Sequence, residues 1–207
     1  MADAIYNVTI RQGHSYTNVL RCEVPPIVRK PILAISCPYA SAVIQTTEPH
    51  GLLDGWRTAI VNVDVPKEIN ALNADDIQDE EYYAATVVSP DVIELNEKNI
   101  ADLKAYTQGG FIHYNTPMSL TGMTFRIRLK TRKGGTLLAS NLVADGALNV
   151  LKLTVNTSLS TITLEIPAAA SELLAGKTGW YDIEAVTSDS PAKVIPLVSG
   201  YVKVEKE

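Results

Sequence analysis

The chain has 207 residues, 46% hydrophobic and 20% charged, proportions of a folded globular protein that exclude a disordered one. Its longest apolar runs, residues 31–35 and 168–175, fall well short of the roughly 20 residues that a membrane-spanning helix needs. The net charge of -5 is uneven, because residues 24–116 carry 13 acidic and 6 basic side chains and the remainder 10 and 12. That balance argues against nucleic acid as the main partner, since phosphate recognition needs clustered Lys and Arg.

Along the chain, Tyr6-Asn7-Val8-Thr9-Ile10 alternates apolar and polar side chains, Gln12-Gly13 punctuates, and residues 16–22 alternate again. This predicts a strand, a turn and a strand. Pro25-Pro26 and Pro31 follow; prolines cannot donate ladder bonds in a central strand, so the chain is expected to leave one module here. Strands are then predicted over residues 42–47, 57–63, 82–88, 92–95 and 111–114, divided by the turn signals Glu48-Pro49-His50-Gly51, Ser89-Pro90-Asp91 and Gly109-Gly110. Five or so short strands with tight turns describe a small barrel or roll.

After Pro117 the alternation lengthens. Phe125, Ile127 and Leu129 face one way and Arg126, Arg128 and Lys130 the other, which is a half-buried strand with a wet face. Residues 151–155, 161–166, 180–186 and 198–204 are further predicted strands, with a short helix over 168–174 stopped by Gly176. Five strands here and two at the N-terminus make seven. The predicted fold is therefore all-β: an antiparallel, immunoglobulin-like sandwich of residues 1–23 and 117–207, interrupted by a small β-barrel of residues 24–116.

The N-terminal residues lack a basic segment followed by an apolar core, so no secretory signal is visible and assembly in a cytoplasm is expected. In a reducing compartment Cys22 and Cys37 read as thiols rather than a bridge. The sequons at Asn7 and Asn156 then have no glycosylation to receive.

Two sets of phrases carry a resemblance. The first is Ile44-Gln45-Thr46-Thr47-Glu48-Pro49-His50-Gly51-Leu52-Leu53-Asp54-Gly55, Ala71-Leu72-Asn73, Tyr83-Ala84-Ala85-Thr86-Val87-Val88-Ser89-Pro90-Asp91-Val92-Ile93-Glu94-Leu95 and Tyr106-Thr107-Gln108-Gly109-Gly110. It resembles the small β-module of many bacteriophage virion proteins that is named for its likeness to the first catalytic cysteine half-domain of ubiquitin-activating enzymes; the name implies no ubiquitin chemistry. The second set is Ile10-Arg11-Gln12-Gly13, Leu120-Thr121-Gly122-Met123-Thr124-Phe125-Arg126-Ile127-Arg128, Leu164-Glu165-Ile166-Pro167, Trp180-Tyr181-Asp182-Ile183-Glu184 and Gly200-Tyr201-Val202-Lys203-Val204. It is similar to small phage structural proteins related to the N-terminal domain of baseplate upper proteins. In those relatives the opening segment runs almost directly into the Leu-Thr-Gly strand, whereas here more than ninety residues intervene. The resemblance covers nearly the whole chain with turn and strand signatures and carries no catalytic group.

What it implies is a non-enzymatic virion structural protein: a tail or baseplate connector that binds other virion proteins and forms a homo-oligomer in the particle, with no cofactor and no membrane. The alternatives are a capsid decoration, head-fibre or head-to-tail adaptor protein, and a carbohydrate-binding attachment module. Fold likeness does not itself fix function.

The residues that bear chemistry are few. His14, His50 and His113 do not stand at metal-ligand spacings, and His50 beside Gly51 reads as a turn residue. Asp75, Asp76, Asp79, Glu80 and Glu81 lack the Gly-centred loop of a calcium-binding hand and read as a solvated acidic loop. No Gly-x-Ser-x-Gly elbow or phosphate-binding glycine loop occurs. The candidate partner contacts are Arg126, Arg128 and Lys130 on one strand, Asp76, Glu80 and Glu81 in the acidic loop, and Trp56, whose face would suit a sugar if exposed. Core packing is the expectation for both Trp56 and Trp180.

Overall fold

A computed structural model describes residues 4–38 and 41–206. It is all-β, with one short helix, and the chain separates into two compact units: Met1–Cys22 with Ser119–Glu207, and Glu23–Met118.

The contiguous unit is a closed six-stranded barrel. Its strands are β4 (Glu23–Ser36), β5 (Ser41–Thr46), β6 (Trp56–Val63), β7 (Tyr83–Ser89), β8 (Val92–Asn99) and β9 (Gly109–Pro117), ordered β4-β5-β8-β7-β6-β9 with β4 and β9 closing the ring. Alternation drives the barrel. In β5 the buried side chains Ala42, Ile44 and Thr46 alternate with half-buried ones, and Ile60, Ile93, Leu95 and Ile112 meet them inside. Closing the ring removes the open edges that an antiparallel sheet otherwise leaves.

The proline-rich segment differs from the sequence reading. It does not simply lead out of a module but forms β4, a strand of 14 residues that pairs with β9 on one side and β5 on the other. The ladder survives because its register shifts between Val24 and Ile27, so that Pro25 and Pro26 fall in a bulge where no donor is required. The Thr116 hydroxyl donates to the Pro26 carbonyl there. A second adjustment lies opposite β6: Asn62 takes φ 59° and Gly110 φ 91°. An added Cβ on Gly110 would overlap the Val63 side chain, so only glycine fits this crossing.

Among the described residues the discontinuous unit holds ten strands in two sheets. The larger contains β1 (Ala4–Ile5), β16 (Val194–Glu205), β15 (Thr178–Val186), β10 (Thr124–Lys130), β11 (Leu137–Ser140) and β12 (Leu148–Asn149) in that order, with β2 (Val8–Arg11) also pairing with β16. The smaller is β13 (Lys152–Asn156), β14 (Thr161–Ile166) and β3 (Tyr16–Arg21). Ile127, Leu129, Tyr181, Ile183, Val202 and Val204 from the first sheet and Leu164 and Ile166 from the second form one core, closed by Ala170 and Leu174 at helix α1 (Ala168–Leu173).

The N-terminal strands belong to this unit: β3 pairs with β14, and β1 and β2 pair with β16. Both pairings with β16 are parallel, as is β11 with β12. The sandwich is therefore mixed where wholly antiparallel strands are expected from sequence. Parallel pairing suits a distant strand that arrives without a hairpin. The Tyr181 hydroxyl ties β15 to this edge by donating to the Tyr6 carbonyl at 2.7 Å.

Candidate interaction surfaces

Arg126, Arg128 and Lys130 lie on the outer face of β10, as alternation predicts, but they are matched within the sheet. Register places Arg126 beside Glu184, Arg128 beside Asp182 and Lys130 beside Trp180 on β15. Arg126 Nε lies 2.5 Å from Glu184, Lys130 Nζ 2.9 Å from Asp182, and Arg128 3.5 Å from Asp145 and 3.9 Å from Glu184. All six side chains are largely covered. A hydrogen bond from the Ser140 hydroxyl and the nearby Arg128 hold the Asp145 carboxyl below its ordinary range. The stripe is thus a neutralised ladder rather than a free basic surface. Cross-strand pairs of opposite charge stabilise a sheet by roughly 0.2–1 kcal/mol each.

The acidic segment of the barrel is a built loop. Glu81 accepts the backbone N–H groups of Leu72 at 2.6 Å and Gln78 at 2.8 Å, which lowers its own pKa and closes a capping box around the 3-10 turn Asp79–Glu81. Glu81 thus braces the loop backbone from its surface. Arg57 forks onto Glu23 at 2.6 and 2.7 Å and reaches Asp79 at 2.8 Å, while Arg29 donates to the Ala74 carbonyl at 2.9 Å and lies 3.5 Å from Asp75. Asp76 and Glu80 remain exposed. In the same segment Leu72 is 98% exposed.

The two tryptophans divide. Trp56 is 2% exposed and donates its indole N–H to the Asn115 carbonyl at 2.9 Å. Its faces are closed to any sugar, so this candidate contact is a core residue. Trp180 is not core. It stands half-buried on the outer face of β15, edge-on to Tyr201 at 4.9 Å and 88°, with Lys133 Nζ 5.4 Å over its ring. The alternation Trp180-Tyr181-Asp182-Ile183-Glu184 already carries that signal: once Tyr181 and Ile183 point inward, Trp180 must point out with Asp182 and Glu184.

His50 fixes a turn. Its Nδ1 accepts from Leu52 N–H and its Nε2 donates to the Ser89 carbonyl, both at 2.9 Å, and the Tyr114 hydroxyl donates to the His50 carbonyl. His113 is buried against Arg29 and Tyr82, and burial followed by the Arg29 charge depresses its pKa. Among the described residues no group of three or more His, Cys, Asp or Glu could hold a metal ion. In the sandwich a cleft of about 610 Å³ runs between β13 and α1, lined by Leu151, Leu153, Ala170 and Leu173 with the amides Asn141 and Asn149. No titratable pair converges on it. Among the described residues no helix is long and apolar enough to cross a membrane.

No protein-family model matches this chain, and no curated protein matches it.

Proposed function

We propose that this chain is a non-enzymatic structural component of a bacteriophage virion, a tail or baseplate connector that binds other virion proteins through two β-units. The observation that carries the reading is where the two sets of phrases fall. The Thr-Glu-Pro-His-Gly phrase with its Ser-Pro-Asp hairpin lies wholly on the barrel, at β5, β7, β8 and the start of β9. The Leu-Thr-Gly, Trp-Tyr-Asp and Gly-Tyr-Val phrases lie wholly on the sandwich, at β10, β15 and β16. Each resemblance therefore coincides with a unit that has its own core.

The residues with chemical capacity are used in architecture. His50 and Tyr114 hold a turn, Glu81 holds a loop, and Arg126 to Lys130 hold a sheet. Binding by such a protein rests on apolar patches, exposed loops and sheet edges. Antibodies against this chain, applied to purified virions and viewed by electron microscopy, test the proposal. Label confined to tails is the expected result. Label spread across capsid faces replaces the tail reading with a head protein, and virions that carry no label overturn virion membership.

A further inference from the structure

The two units carry opposite charge. Residues 23–118 hold 14 acidic and 6 basic side chains, and the other unit 9 acidic and 12 basic. Each also exposes an apolar group in a segment that carries exposed charges of its own sign. On the barrel, Leu72 is exposed in the acidic segment that also carries the exposed Asp76 and Glu80, and Glu81 fixes the loop backbone by accepting from Leu72 and Gln78. On the larger sheet of the sandwich, the register Lys130, Trp180, Tyr201 brings the β10–β11 turn, the start of β15 and the second half of β16 to one end. Tyr201 is 54% exposed there, against Trp180. Lys133 stands over the Trp180 ring, Arg132 precedes it in the same turn and Lys177 lies just before β15; all three are exposed and without an acidic partner among the ion pairs found.

We propose that copies of this chain associate head to tail, the loop carrying Leu72 on one copy docking against the Trp180–Tyr201 end of the next copy's large sheet. A leucine seated on two aromatic rings inside a rim of opposite charges has the composition of an interface hot spot with steering charges around it. The fixed loop loses little conformational freedom on docking. Because the two patches differ, the contact is heterologous and generates a ring or an open chain rather than a closed pair. A second copy is the occupant that the charges favour, since the complementary surface is present on every molecule at the same concentration. The inference deepens the virion reading by naming the contact between copies. Its test uses purified protein, so it can fail while labelled tails still stand.

Sedimentation equilibrium of the full chain reads the association directly. The expected result is a mass that rises with protein concentration at about 50 mM salt and an association at least tenfold weaker at about 0.5 M, where screening is nearly complete over a few ångströms. The double variants Asp76→Lys with Glu80→Lys, and Arg132→Glu with Lys133→Glu, each weaken it by about tenfold, the factor that 1.4 kcal/mol of contact energy represents. Each variant alone brings like charges together. An equimolar mixture of the two restores complementary contacts, one with the signs reversed and one with the wild-type signs, and regains the wild-type mass, a recovery that misfolded variants would not give. Leu72→Ala and Tyr201→Ala weaken association without changing its salt dependence. A wild-type chain that stays monomeric to about 0.5 mM at low salt, well above micromolar contact strengths, overturns the proposal. So do double variants that associate as well as wild type, and a mixture that associates no better than its components.

Discussion

The barrel and the sandwich solve the same problem, how to end a β-sheet, in opposite ways. The barrel closes six strands on themselves within one contiguous segment, so each strand finds both neighbours inside residues 23–117. The sandwich ends in edge strands, β13 and β3 in the small sheet and β12 at one end of the large one with β1 and β2 at the other, and draws its partners from both sides of the insert. Charge follows the same division. The barrel concentrates ion pairing at one loop around Arg57, whereas the sandwich lays cations and carboxylates in rows across its wet face. A closed ring has no edge to protect and can carry an acidic excess; an open sheet uses alternating charges to keep its outer face in water.

If the two cores are independent, damage to one should leave the other intact. Trp56→Ala removes the largest buried side chain of the barrel and should lower barrel stability by about 3–5 kcal/mol. Denaturant unfolding followed by far-UV circular dichroism should then show an early barrel transition. Trp180 fluorescence, now the sole indole signal, should report an unchanged sandwich transition. Transitions that fall together would erase the distinction. Glycine substitutions give a matched and smaller pair. Gly110→Ala forces a Cβ onto Val63 in a left-handed conformation, and Gly200→Ala forces one onto the Tyr6 carbonyl. Each should cost about 1–3 kcal/mol, and hydrogen exchange should accelerate only in the unit that carries the change.

Charge effects are smaller. Glu184→Gln leaves Arg126 without its carboxylate and weakens the hold on Arg128, at a cost of about 1 kcal/mol to the sandwich alone. A double-mutant cycle with Arg126→Gln should recover most of it as coupling; zero coupling would mean that the ladder contributes only shape. The smallest effect is on pH. His113 has a depressed pKa in the folded barrel, so the unfolded chain binds the proton more readily, and stability present above about pH 6.5 declines as pH falls below it. Asp145 of the sandwich has a lowered pKa, so its contribution persists until pH falls below about 4. The barrel should begin to lose stability first on acidification. His113→Gln should flatten its stability below about pH 6.5, as followed by thermal melts; an unaltered slope would sink the assignment.

Alternation made most strands legible, because a two-residue period survives wherever one face is buried, as in β10, β14 and β15. What stayed hidden depended on register. Nothing near Arg126 shows that Glu184 will lie opposite, since the pairing spans more than fifty residues. The β4 strand stayed hidden because prolines signal a break, and only the bulge at Pro25 and Pro26 makes them compatible with a ladder. Trp56 and Trp180 were separable in principle by the phase of their strands. The strut role of Glu81 was not, because it depends on the backbone direction of two loop residues.

The pairing of Glu23 with Pro117 has a consequence for how the chain is made. Strands β1 to β3 leave the ribosome long before β14 and β16, their partners, are synthesised. In the interval the barrel segment emerges complete and can fold on its own. Once it has, the two ends of a detour of more than ninety residues are held side by side, and the entropic cost of reuniting β3 with the later strands shrinks to that of a short loop. The insert that interrupts the sandwich in sequence thus acts as a clasp during its assembly.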